Sequence, residues 1–189
     1  MLIRPVLPGD KEHLRDGVAR LSETSRYRRF FAFVKVLSDD QLQYLTEIDY
    51  RDHMAWIAFD MTNAKGLPIG VARYIRLENE PGSAEAAVTV VDTHQGRGVG
   101  TLLLAFLCRT AKDNEIDSFV AYVLDDNEPM LRIFRDLGAR VDREEPGIVR
   151  VTVPVPNDPD GLPDTPAGRV FKAVAQGCSD ARSLESRCA

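Results

Sequence analysis

Apolar and polar positions change period several times along the chain, and each change marks an element. Leu2-Ile3-Arg4-Pro5-Val6 predicts a short strand, stopped by the turn Pro8-Gly9-Asp10. Asp10 is placed to cap a helix through about Leu21, with Leu14, Val18 and Leu21 on one face. Ser22 to Phe33 is a second apolar, basic stretch. Ser38-Asp39-Asp40-Gln41 has capping-box spacing and predicts a helix with Leu42, Leu45 and Ile48 inward. Strands are predicted at His53–Phe59, Pro68–Leu77 and Ala84–Val91, separated by the turn Asn63-Ala64-Lys65-Gly66 and a Gly/Pro-containing loop from Glu78 to Ser83. Gly98 to about Asp113 reads as a helix with Leu102, Leu103, Phe106 and Leu107 on its apolar face. Then come a strand at Ile116–Leu124, a helix at Asn127–Leu137 closed by Gly138, and strands from Ala139 and from Ile148.

The order is β, two or three helices, three strands, then β-α-β-α-β-β. It predicts an α/β (α+β) domain and does not match a doubly wound dinucleotide fold, because three antiparallel-type strands precede the first crossover. The first 153 residues read as one domain. From Pro154 to about Ala167, closely spaced prolines and aspartates have the composition of a linker. In the tail at 168–189, Val170, Phe171, Val174 and Ala175 have the spacing of one short amphipathic helix.

Composition narrows the function. At 189 residues with 44% hydrophobic and 28% charged residues, the chain is expected to be globular rather than disordered. The net charge of −5 argues against a dedicated nucleic-acid partner. The longest apolar run, Leu102–Leu107, is far short of a membrane span, and the N-terminus lacks a signal-peptide core. The cytoplasm, with no membrane association, is the expected location. Cys108, Cys178 and Cys188 lack zinc-ligand spacing and the three histidines are scattered, so no metal site is expected. Cys108, on a mostly apolar helix, is expected to be a buried core thiol.

Gln95-Gly96-Arg97-Gly98-Val99-Gly100-Thr101 leaves a strand and opens a helix. Glycines allow close backbone approach, and a helix start offers unpaired N–H groups and a favourable dipole for an anion. The segment has neither the lysine of GxxxxGK[ST] nor the spacing of GxGxxG. The local motif alone fits either a phosphate cradle or a plain Gly-rich turn.

A wider pattern adds to this motif. Gln95-x-x-Gly98-x-Gly100 after a strand, Asn127-Glu128-Pro129-Met130 opening the next helix and Leu137-Gly138-Ala139 closing it resemble the GNAT superfamily of N-acetyltransferases. Ser25-Arg26-Tyr27-Arg28-Arg29-Phe30-Phe31, Thr46-Glu47-Ile48-Asp49-Tyr50, Gly70-Val71-Ala72-Arg73-Tyr74 and the strand from Ala84 to Asp92 are similar to the bacterial Pat-type protein-lysine acetyltransferases. The resemblance covers about residues 1–153. It implies a GNAT fold, a mixed, mostly antiparallel sheet flanked by helices. It also implies acetyl-CoA as cosubstrate, and an acceptor that is a protein (an acyl-CoA synthetase among them) or a small amine. A non-catalytic acyl-CoA-binding module is the alternative. Some Pat-type enzymes carry a cyclic-nucleotide domain, which is not expected within this length.

The resemblance also implies roles. Glu85 corresponds to the general base. It lies about six residues before the strand end at Val91, on the order of 20 Å from the Gly-rich loop at ~3.3 Å per residue. A pantetheine arm has comparable reach. A lysine amine, with a reference pKa of ~10.4, must lose a proton before it attacks. Backbone N–H groups at Val90 and Val91 are expected to bind the thioester carbonyl and pantetheine, and Gln95 to Thr101 the pyrophosphate. Asn127, Met130 and Phe134 complete the expected cofactor groove. Phe134 stands where many relatives have a tyrosine acid, which leaves the acid unassigned. Glu78, Glu80 and Glu128 are weaker base candidates. Arg26, Arg28 and Arg29 admit three readings: a nucleic-acid patch, a contact with CoA phosphates or an acidic protein, and an amphipathic helix with aromatics inside and arginines outside. Net charge favours the helix.

Overall fold

The computed structural model describes residues 1–62, 66–156 and 158–177. The predicted turn at Asn63–Lys65, Cys178 and Cys188 lie outside the described residues.

The first strand, β1 (Leu2–Pro5), is followed by α1 (Lys11–Ala19), α2 (Glu23–Phe30) and α3 (Asp39–Thr46). Next come β2 (His53–Asp60), β3 (Leu67–Leu77) and β4 (Glu80–Val90), then α4 (Val99–Asp113), β5 (Ser118–Leu124), α5 (Glu128–Asp136), β6 (Arg140–Glu145), β7 (Ile148–Pro154) and α6 (Pro166–Ala175). The strands form one sheet in the order β1-β2-β3-β4-β5-β7-β6. Every neighbouring pair is antiparallel except β4 with β5. Among the described residues, no helix is long and apolar enough to cross a membrane.

Local rules account for most boundaries. Ser38 accepts the N–H of Gln41 while the Gln41 side chain accepts the N–H of Ser38, a complete capping box for α3. Ser22 caps α2 through the N–H of Ser25. Asp10 departs from expectation. It sits at the start of α1 but its side chain makes no cap bond to that helix. Its carboxylate, only 3% exposed, instead takes Arg4 in a two-pronged ion pair together with the N–H of Leu7 and the His13 ring. A bidentate guanidinium outcompetes a neutral N–H for a buried carboxylate. The predicted loop at Glu78–Ser83 is shorter than expected. Strand β4 already begins at Glu80, and the irregular register between Arg76 and Leu77 absorbs the Pro-Gly step as a bulge.

Period-two alternation divides each strand between two cores. Met54 and Ala58 of β2, with Ala72 and Tyr74 of β3, join α4, α5 and α6 in the larger cluster. Ala55, Ile57 and Phe59 face α1 and α3, with Leu14 and Leu42, in the smaller one. Helix α4 is buried from Leu102 continuously through Cys108, more than the single apolar face expected. The reason is α6, which packs on it through Ala167, Phe171 and Val174. Val155 and Leu162 enter the same cluster, so the Pro/Asp-rich stretch that reads as a spacer is tied into the core. Burial pushes the Cys108 thiol up to about 12, which keeps it protonated and inert.

Candidate active site

Strands β4 and β5 pair over only three positions, Ser83 with Ser118, Ala84 with Phe119 and Glu85 with Val120. Beyond Glu85 they part. Strand β4 stays with β3 as far as Val90, and β5 stays with β7 as far as Leu124. From Ala86 to Val90 one edge of β4 therefore has no strand beside it. The Val91 N–H bonds the Ile69 carbonyl at 2.9 Å. Hydrogen-bonded and non-hydrogen-bonded pairs alternate along an antiparallel ladder, so Ala86, Val88 and Val90 turn their backbone groups to the β5 side; the Ala86 N–H closes the last rung, to Val120, and the groups of Val88 and Val90 point into the gap. The Gln95 side chain confirms the direction, since its amide donates to the Val90 carbonyl at 2.9 Å. Exposed strand groups of this kind need a partner, and an extended ligand can supply one.

At one end of this edge lies the glycine loop. A single 3₁₀ turn at Asp92–His94 leads to Gly96 (φ 69°) and Gly98 (φ 79°), both left-handed. Gly98 is the N-cap of α4 and has no side chain to satisfy the first-turn N–H groups, which are left to bind an anion. These N–H groups, with Val88 and Val90, line a groove faced by Asn127, Met130 and Ile133. Asn127 precedes α5 without using its side chain as a cap. The loop is braced from behind. Asp92 accepts the N–H and hydroxyl of Ser22 and the hydroxyl of Ser25, and Gln95 donates to Ser25. Burial works against the Asp92 charge, but these donors hold its carboxyl below the usual range.

At the other end is Glu85, exposed at the point where the strands divide. It is the one carboxylate lining that part of the cleft among the described residues. Glu80 is exposed at the far start of β4, Glu78 lines a separate hollow near His53, and Glu128 pairs with Arg135 at 2.6 Å. Phe134, 4% exposed, forms an apolar wall with Met130. Tyr122, which sequence reasoning passed over, carries the only hydroxyl lining this cleft among the described residues. The register of Glu85 with Val120 puts Tyr122, two residues on, on the Glu85 face.

Two site expectations need correction. The Val91 N–H is already used by Ile69 and Val91 lines a cavity under α1, so Val88 joins Val90 as an open-edge donor in its place. Arg97 is exposed between the two left-handed glycines. Helix α2 is not arranged with aromatics in and arginines out. Tyr27 is 39% exposed and Phe33, beyond the helix end, 88% exposed, while the half-buried Arg29 lines the cleft with Glu85. The helix lies over the open edge of β4, so its inner face meets a carboxylate rather than a closed apolar surface. Arg28 reaches across to Asp126, 3.7 Å away in the loop after β5.

The profile of the acetyltransferase (GNAT) family matches residues 22–139. The chain belongs to the GNAT family. Acetyltransferase Pat of Mycolicibacterium smegmatis is 40% identical over 154 residues, a span that covers 82% of this chain and 45% of that protein. The chain thus spans less than half the length of this curated relative. The crystal structure of the GNAT domain of S. lividans PAT has a TM-score of 0.74 at 32% identity, covering 80% of this chain and 89% of that one. A Salmonella typhimurium structure that holds its cofactor acetyl-CoA aligns at a TM-score of 0.63 over 87% of this chain and 98% of its own. At 18% identity that likeness shows the fold. Seven strands with one parallel junction that opens at Glu85 are this GNAT chain's own version of that architecture.

Proposed function

We propose that this GNAT domain transfers an acetyl or similar short acyl group from acyl-CoA to an amine, with protein lysine as the leading acceptor. The observation that carries the reading is the division of β4 from β5 at Glu85, with an anion-binding helix start at the other end of the open edge. The residues present suit acetyl-CoA. The first-turn N–H groups of α4 hold the pyrophosphate, and the open groups of Val88 and Val90 hold the pantetheine amides and the thioester carbonyl. The distance from the loop to Glu85 is on the order of 20 Å along the strand, the reach of a pantetheine arm.

Glu85 takes the proton from the attacking amine, directly or through one water. The N–H of Val88 stabilises the oxyanion as the C–N bond forms. The thiolate leaves with little help, because a thiol pKa near ~8.5 makes it a stable leaving group. No covalent enzyme intermediate is needed. The lysine acceptor is supported by the Pat relatives, and acyl-CoA synthetases are the first proteins to test. Phe134 in place of an acid favours a second reading, a module that binds acyl-CoA without turnover.

The test is incubation with acetyl-CoA and a cell lysate, followed by free-thiol measurement and mapping of acetylated lysines. Protein-dependent CoA release with modified lysines is the expected result. Release with small amines alone moves the acceptor to that class, and tight binding without release makes the chain a module.

A further inference from the structure

Behind the acyl-transfer point lies a second cavity, between α1, α2 and the β3–β4 pair, of about 70 Å³. It has room for roughly five to seven water-sized groups. Leucines and valines make up much of its lining, with Arg29 and Arg73 as its two guanidinium groups and no carboxylate among the described residues. Arg73 is 5% exposed. Among the described residues its guanidinium bonds only neutral partners, His53 Nε2 at 2.8 Å and the Leu45 carbonyl at 3.2 Å. His53 is itself held uncharged, its pKa pushed down to about 4 by burial and by Arg73. Arg29 lies against the Phe30 ring and forms no ion pair among the described residues. The carboxylate whose charge acts on it is Glu85. Two guanidiniums against one carboxylate leave a positive charge uncompensated, and buried charges of that kind ordinarily have a partner.

The cavity borders the transfer point. Arg29 and Phe30 line both the cavity and the Glu85 cleft, and Thr89 lines both the cavity and the glycine-loop groove. Arg73 pairs in register with Ala87, so both side chains stand on the same face. Ala87 presents only a methyl group between Glu85 and Thr89. A chain starting at the open edge of β4 can cross over it to Arg73, about one strand spacing of ~5 Å away.

We propose that this cavity receives the anionic end of a dicarboxylic acyl group, of succinyl or glutaryl size, with its terminal carboxylate between Arg29 and Arg73. The inference rests on the acyl-CoA reading above. The methylenes lie against the apolar lining and the carboxylate supplies the missing negative charge. Transfer forms the amide C–N bond and breaks the thioester C–S bond. The cationic lysine gives up one proton to solvent before attack and a second, through Glu85, to the CoA thiolate, and becomes an anionic acyl-lysine.

Calorimetry with acetyl-CoA, butyryl-CoA and succinyl-CoA tests this, because butyryl matches succinyl in chain length without the charge. A charge-assisted carboxylate contact predicts succinyl-CoA binding about tenfold to a hundredfold more tightly than butyryl-CoA. In Arg29→Gln that ratio should fall towards one, and Arg29→Lys should restore part of it. The ratio is taken within each variant, so it stands apart from any change in overall stability. Equal affinities in the wild type, or an unchanged ratio in Arg29→Gln, overturn the proposal. If none of the three binds, the acyl-CoA reading falls with it.

Discussion

On the α4 side of the sheet, one apolar cluster runs from β2 through β5 and β7 to the C-terminal helix, and Trp56 and Phe106 pack with ring centroids 5.0 Å apart. On the α1 side the cluster is smaller, and the residues among and beside it include Asp10, Arg73 and the half-buried Arg29. The first face is closed, with a helix buried on nearly all sides. The second contains charge, a cavity and one open strand edge. The closed face fixes β4 from behind, so the edge beside it can remain without a strand partner. The charged groups thus gather on the α1 side, while the closed cluster also supplies the apolar wall of the cleft through Met130 and Phe134.

The sharpest break should come at the open edge. Glu85→Gln is nearly isosteric but cannot accept a proton, so turnover should fall about 10²–10⁴-fold while acetyl-CoA binding persists. Steady-state rates beside calorimetry check this, and wild-type turnover would remove Glu85 from the mechanism. The closed face should respond in stability instead. Phe171, 6% exposed against α4, should cost about 3–5 kcal/mol when changed to alanine, read by urea unfolding. A loss below about 1 kcal/mol would mean that α6 is an appendage.

Gly98→Glu places a side chain at φ 79° and a negative charge at the anion cradle. Acetyl-CoA affinity should fall about tenfold or more in a folded protein. Acid should then separate the two faces. Burial first, and Arg73 second, push His53 from 6.5 down to about 4, so the unfolded chain takes up a proton that the fold excludes. That contribution is complete above about pH 6.5 and is lost as pH falls towards about 4. Asp10 follows at lower pH. Burial raises its pKa, but Arg4, the Leu7 N–H and His13 outweigh this and hold it at about 2, so its share is lost between 3.8 and about 2. Urea midpoints against pH should slope less between 6.5 and 4 in His53→Gln than in the wild type. An unchanged slope would place the acid response elsewhere.

The smallest effect is expected at Phe134. Phe134→Leu keeps the apolar wall and removes no ionisable group, so the pH–rate profile should keep its shape. A new or lost ionisation would show that Phe134 positions an acid, with Tyr122 the nearest hydroxyl in the cleft lining to test.

Much of this was legible in the residues alone. Ser38 and Gln41 announced their capping box, alternation marked β2 and β3, and the glycines before Val99 marked the helix start with its anion site. These are local properties, fixed by side-chain chemistry and backbone preference within a few residues. Other features depended on what lay opposite. Asp10 looked like a cap until Arg4 took its carboxylate. The prolines after Val153 looked like a spacer until Val155, Leu162 and Phe171 found apolar surface on the far side of α4. Val91 looked like an open-edge donor, and only the register with β3 showed its N–H turned the other way. The position at which β4 leaves β5, and the meeting of Arg29 with Arg73, were settled by tertiary structure because neither has a sequence period. Each arises where residues distant in the chain compete for the same edge or the same enclosed space.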